Sequence, residues 1–139
     1  MSEVVRGLVI GHSTLAEGLT SAVRQIAGLE DGVLQPFSNE GQGPEKLIAA
    51  VQRAVGNAPV ILFTDLGSGS CAFAARKIAA LRPRTGVVCG VNLPILLDFA
   101  FHRDLPLTEL VERLIEKGKG GIVGACTEEA AHADRAVTH

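Results

Sequence analysis

The stretch RGLVIGHSTLAEGLTSAVRQIAG, residues 6–28, joins two different periodicities around a histidine. Arg6 to Ile10 is a short, almost wholly apolar run, which predicts a buried strand. Leu15, Leu19, Ala22, Val23 and Ile26 then recur at helical spacing until Gly28, a residue suited to ending a helix. A strand that turns directly into a helix is the unit of a parallel sheet, where ligands bind outside the carboxyl ends of the strands. His12 follows the strand, so it faces such a crevice and not the core.

The same alternation repeats three more times. Val33 to Phe37 predicts a second strand, and Pro36 within it suits an edge position, since proline cannot donate to a ladder. A polar loop, residues 38–43, leads to Pro44, which opens a helix striped by Leu47, Ile48, Val51 and Val55. Residues 59–64 form the third strand, and the helix after it runs from Ser70 to Leu81 with Phe73, Ala74, Ile78 and Leu81 as its apolar face. The fourth strand spans residues 86–91. It is followed by Asn92-Leu93-Pro94 and a helix carrying Ile95, Leu96, Phe99 and Ala100. A last helix is expected from a Thr108 N-cap to Gly118, and residues 121–126 offer a fifth short strand. The fold class is therefore α/β, a doubly wound and mainly parallel sheet of four strands plus an edge strand. Residues 1–126 form one domain, and the polar, alanine-rich residues 127–139 read as a disordered tail.

Composition narrows the functional classes. With 139 residues the chain is long enough for one core, and 47% hydrophobic against 20% charged residues excludes wholesale disorder. A net charge of -2 with dispersed basic residues leaves no footprint for nucleic acid and no polybasic membrane patch. Cys71, Cys89 and Cys126 are odd in number and lack CxxC spacing, which argues against a zinc site and a disulfide scaffold and fits a reducing compartment. No signal-like start and no apolar run of about 18 residues is present, so a cytoplasmic location is expected.

Asp65 also follows a predicted strand, and it precedes Leu66-Gly67-Ser68-Gly69-Ser70. A histidine and a carboxylate at two strand ends imply an imidazole with its tautomer fixed by the acid. The Gly-Ser loop at a helix N-terminus offers free N–H groups and small hydroxyls to phosphoryl oxygens. Gly7 and Gly11 mimic the end of a phosphate-binding P-loop, but they are one residue too close and histidine stands in place of lysine, which excludes nucleotide hydrolysis. Asn92 and Pro94 either shape the turn after the fourth strand or touch a ligand or partner. His102, His132 and His139 have no convergent partner in the sequence, and Cys71 borders the Gly-Ser loop.

Three ordered stretches carry a family resemblance: Val9-Ile10-Gly11-His12 with Leu15-Ala16-Glu17-Gly18-Leu19, Thr64-Asp65-Leu66-Gly67-Ser68-Gly69-Ser70, and Gly90-Val91-Asn92-Leu93-Pro94-Ile95-Leu96-Leu97. Across residues 5 to 125 the chain resembles the IIA domain of the mannose-family bacterial sugar phosphotransferase system (PTS). The resemblance implies a phosphotransferase component in which His12 accepts phosphate from phospho-HPr and passes it to a IIB component. Membrane IIC and IID components are then partners only indirectly. It further implies that Asp65 supports the ring, that residues 66–70 hold phosphate with Ser13 nearby, and that neither a metal nor another cofactor is needed. A homodimer that exchanges an antiparallel edge strand, with residues 121–125 as the candidate, also follows from it. The chain departs from the family where Ser13 follows His12 and where Ser68-Gly69-Ser70-Cys71 replaces a glycine then Ser-Pro. The His-Ser pair and Asp-Leu-Gly-Ser are similar to the phosphocarrier subunit of bacterial dihydroxyacetone kinase. A regulatory binding module switched by His12 phosphorylation is the other alternative.

Overall fold

The computed structural model describes residues 4–128. Its elements follow in the order β1 (Arg6–Gly11), α1 (Leu15–Ala27), β2 (Leu34–Ser38), α2 (Pro44–Val55), β3 (Val60–Thr64), α3 (Ser70–Leu81), β4 (Thr85–Cys89), α4 (Leu93–Phe101) and α5 (Leu107–Gly120). The four strands form one sheet in the order β2-β1-β3-β4, and all three pairings are parallel. Proline-bearing β2 is an edge, as expected.

Side chains along each strand alternate between two cores. Leu8 and Ile10 of β1 join Val60 and Leu62 of β3 beneath α2 and α3, with Leu47, Val51 and Ile78. Val9 joins Ile61 and Phe63 on the other face beneath α1, α4 and α5, with Val23, Leu96, Phe99, Leu110 and Leu114. Phe63 and Phe99 meet edge to face at 5.3 Å and 76°. Gly7 makes room for that ring: a Cβ there would lie 2.9 Å from Phe99 and 2.8 Å from Leu34.

From β1 the chain winds outward to β2, then crosses back to β3 and on to β4. The order therefore reverses between β1 and β3, and a crevice opens at their carboxyl ends. Ile10 is level with Thr64, so the residues that emerge into that crevice are those just beyond Gly11 and Thr64.

Several expectations need correction. In α3 the buried residues are Cys71, Ala72, Ala74, Ala75 and Ile78, while Phe73 and Leu81 are exposed, because the helix lies so close to the sheet and α2 that small residues fill its inner face. Helix α5 starts after Pro106, not after a Thr108 cap, and it continues through Gly118 to Gly120. Packing overrides glycine's low propensity there, since a Cβ on Gly118 would lie 2.6 Å from Ile95. Strand β4 ends at Cys89, because Gly90 turns with φ +79 and its N–H, like that of Val91, donates to the Thr64 carbonyl at 2.9 Å. Residues 122–127 form no strand within this chain, and Ile122 and Val123 are 77% and 70% exposed. A strand needs a neighbour to satisfy its backbone, and among the described residues none pairs with this segment. The expected tail falls outside the described residues from 129 onward, as do His132 and His139.

Candidate functional site

The switch point brings His12 and Asp65 together. His12 Nδ1 lies 2.8 Å from Asp65 Oδ2, and the same oxygen accepts the His12 backbone N–H at 2.9 Å. The other carboxylate oxygen, Oδ1, accepts the Leu66 N–H at 2.9 Å. Asp65 is thus fixed by three donors. Its side chain is 7% exposed, whereas the imidazole is 43% exposed. Burial pushes the Asp65 carboxyl upward, yet the bonds from the His12 backbone and ring, the electrostatic attraction of His12 and the Leu66 N–H together hold it below its ordinary value. Asp65 is therefore ionised at neutral pH and accepts a hydrogen bond from Nδ1–H. That leaves Nε2 with its lone pair, and no described residue bonds it.

The Gly-Ser loop wraps the ring. Gly69 adopts φ +89, and a Cβ at that position would be 3.9 Å from His12 Cε1. Leu66 is 55% exposed, and Ser70 begins α3, where the N–H groups of the first turn have no intrahelical acceptor. Thr64 Oγ1 donates to the Leu66 carbonyl at 2.7 Å, and Arg76 donates to the Gly67 carbonyl at 2.9 Å. The first two residues of the loop are thus pinned through their carbonyls.

Sequence reasoning missed Ser38, Asn39 and Arg76. Asn39 donates from its backbone to the Gly11 carbonyl at 3.2 Å and from Nδ2 to Ser70 Oγ at 3.1 Å, joining the ends of β1, β2 and α3. Ser38 Oγ donates to the Ser13 carbonyl at 2.8 Å, which holds Ser13 in its left-handed conformation, φ +54. The signal for Ser38 and Asn39 was the polar loop after an edge strand adjacent to β1; Arg76, within α3, had none.

Asn92 and Pro94 serve the framework. Asn92 Oδ1 accepts from the Ile95 N–H at 3.0 Å as the N-cap of α4, and its Nδ2 donates to the Gly118 carbonyl at 3.1 Å, while Pro94 sits in the first turn of α4. His102 does have a partner: Nδ1 lies 2.8 Å from the Asp98 carbonyl and 3.4 Å from its carboxylate, which Arg113 grips at 2.8 and 3.1 Å. Cys71 is buried, with Sγ 3.8 Å from His12 Nδ1. Burial and the nearby Asp65 charge raise its thiol pKa against the lowering bond from Ser70.

Residues 7–115 match the family model EIIA-man, described as PTS system fructose IIA component. The chain belongs to this IIA family. The mannose-specific EIIAB component of Escherichia coli strain K12 is 29% identical to this IIA chain over 122 residues, covering 83% of the chain and 38% of that protein. The chain thus spans well under half the length of the curated relatives it matches. Among solved structures, the mannose/sorbose specific IIA subunit from Enterococcus faecalis superimposes with a TM-score of 0.78 at 22% identity, covering 91% of this chain and 98% of that one. The EIIA component from Streptococcus agalactiae gives 0.80 at 22% identity, covering 86% and 95%. The four-stranded parallel sheet is thus the mannose-type IIA fold. No helix among the described residues is long and apolar enough to cross a membrane.

Proposed function

We propose that this IIA chain is a cytoplasmic phosphohistidine carrier of the sugar PTS, taking phosphate from phospho-HPr on His12 Nε2 and delivering it to a IIB component. The observation that carries this reading is the 2.8 Å contact between His12 Nδ1 and Asp65 Oδ2 beside a ring that is 43% exposed. Asp65 accepts a hydrogen bond from Nδ1–H and so keeps the proton on that nitrogen, and the Nε2 lone pair attacks phosphorus in line as the bond to the HPr histidine breaks. The phosphorylated ring is cationic, and the ionised carboxylate stabilises it. Of residues 66–70, Leu66 donates its N–H to Asp65, and Gly67, Ser68, Gly69 and Ser70 meet the phosphoryl oxygens in the loop that leads into α3. Transfer to IIB reverses the same step. The relay runs without a cofactor, and the sugar is chosen by membrane IIC and IID partners.

The carrier unit is residues 1–126, and it works as a homodimer. Strand β4 has a free outer edge, and Ile122 and Val123 leave α5 as an exposed apolar segment, so residues 121–125 of each copy pair with the other copy's β4. Incubation with enzyme I, HPr and phosphoenolpyruvate tests the carrier role. Intact mass is expected to rise by one acid-labile phosphate per chain. No label, or a label retained by His12→Ala, overturns it.

A further inference from the structure

His12 Nδ1, Asp65 Oδ2 and Cys71 Sγ come from three different elements, yet all lie within 4.8 Å of one another. Each is a metal-ligating atom, and they lie on the inner side of the ring. The pairs His12–Asp65 and His12–Cys71 are 2.8 and 3.8 Å apart. Bond lengths of about 2.0–2.1 Å to nitrogen and oxygen and about 2.3 Å to sulfur place tetrahedral ligands about 3.3 Å (N to O) and about 3.6 Å (N to S) apart. Shifts of about half an ångström or less in these two pairs, and of about 1.2 Å at most between Asp65 Oδ2 and Cys71 Sγ, bring the three atoms to that geometry. Three protein ligands leave a fourth position for water. Cysteine spacing in the sequence carries no trace of this cluster, because residues 12, 65 and 71 are joined only by the fold.

We propose that His12, Asp65 and Cys71 form a binding site for a zinc-like divalent ion, and that this ion and the phosphoryl group exclude each other on His12. On binding, Cys71 releases its proton to solvent and ligates as thiolate, so a dication is neutralised by one thiolate and one carboxylate. That balance suits a half-buried site. The Nδ1 lone pair goes to the metal, and the single proton of the neutral imidazole moves to Nε2. The nucleophile for phosphorus is then gone. Conversely, a phosphorylated Nε2 keeps its proton on Nδ1, where no ion binds. The consequence for transfer rests on the carrier reading above; the ion site does not.

Titrating the unphosphorylated full chain with cobalt(II) under anaerobic, reducing conditions needs no phosphoryl donor, so it separates the two ideas. A sulfur-to-cobalt charge-transfer band that saturates at one ion per chain is expected. Cys71→Ala and His12→Ala should each weaken cobalt binding more than about 100-fold, since even losing an outer-shell partner of a ligand costs about 10- to 100-fold. Cys89→Ala and Cys126→Ala retain the band. Nitrogen-detected NMR of the unmodified chain gives a variant-free check: zinc should move the His12 proton from Nδ1 to Nε2. Zinc should also slow phosphorylation of the parent chain but not of Cys71→Ala, each compared with its own zinc-free rate. Absence of the band at stoichiometric cobalt, its persistence in Cys71→Ala, or an unchanged His12 tautomer overturns the site.

Discussion

Asp65 Oδ2 accepts both the backbone N–H and the ring N–H of the same residue, His12, while Oδ1 accepts from Leu66. All three partners are donors, so only a carboxylate satisfies them. Asparagine must turn its NH2 group toward either Leu66 or His12, and in the second case it drives the imidazole proton onto Nε2. Asp65→Asn is therefore expected to fold, to lose about 1–3 kcal/mol from the unsatisfied pair, and to accept phosphate about 10²–10⁴-fold more slowly, as expected when a histidine is held in the wrong tautomer. Rapid-quench phosphorylation and urea unfolding measure the two effects separately. The pH dependence has a definite sign. A carboxyl held below its ordinary value contributes stability that is present above an unfolded-state pKa of about 3.9 and is lost as pH falls through the lower folded value. Stability should thus drop on acidification below about pH 4, and by less in Asp65→Asn than in the parent. His102→Ala should still carry phosphate, because its contacts with Asp98 lie away from His12.

Among the elements, α4 depends on Asn92, which caps its first turn and ties the end of α5 to it. Asn92→Ala is expected to cost about 1–2 kcal/mol, read as a lower midpoint in thermal unfolding with phosphate acceptance retained. Gly7→Ala tests the neighbouring contact in β1. The new methyl meets Leu34 and Phe99 at 2.8–3.0 Å in a filled core, and about 1–3 kcal/mol of destabilisation should follow. Helix α3 was legible in the sequence from Ser70 to Leu81, because a Gly-Ser loop opens it and apolar spacing carries it through. Its inward face was not. Hydrophobicity favours Phe73 and Leu81, whereas the close approach of helix and sheet selects Cys71 and alanines, a matter of volume that periodicity does not encode. His12 and Asp65 were legible for the complementary reason: both follow strands whose order was readable from strand–helix alternation. Asn39 and Arg76 act through register and helix phase, which emerge only once the sheet is assembled.

At the scale of the whole molecule the described residues leave the sheet two edges, β2 shielded by its proline and β4 with an unpaired flank. A homodimer is expected for the full chain, and a chain ending at Gly120 should run as a monomer or lose solubility; light scattering after size-exclusion chromatography decides between them, and a monomeric full chain removes the exchanged strand. The position of β1 has another effect. It is the first strand in the chain and the second in the sheet, flanked by β2 and by β3, whose last residue is Thr64. A nascent chain emerging from the ribosome therefore holds this largely apolar strand without one of its two neighbours until β3 has been made, more than fifty residues later. Loop closure over that span must precede any reward from pairing. Folding should accordingly be slow and late, with a window during synthesis in which residues 5–10 are exposed to chaperones, and the crevice between β1 and β3 forms only when that window closes.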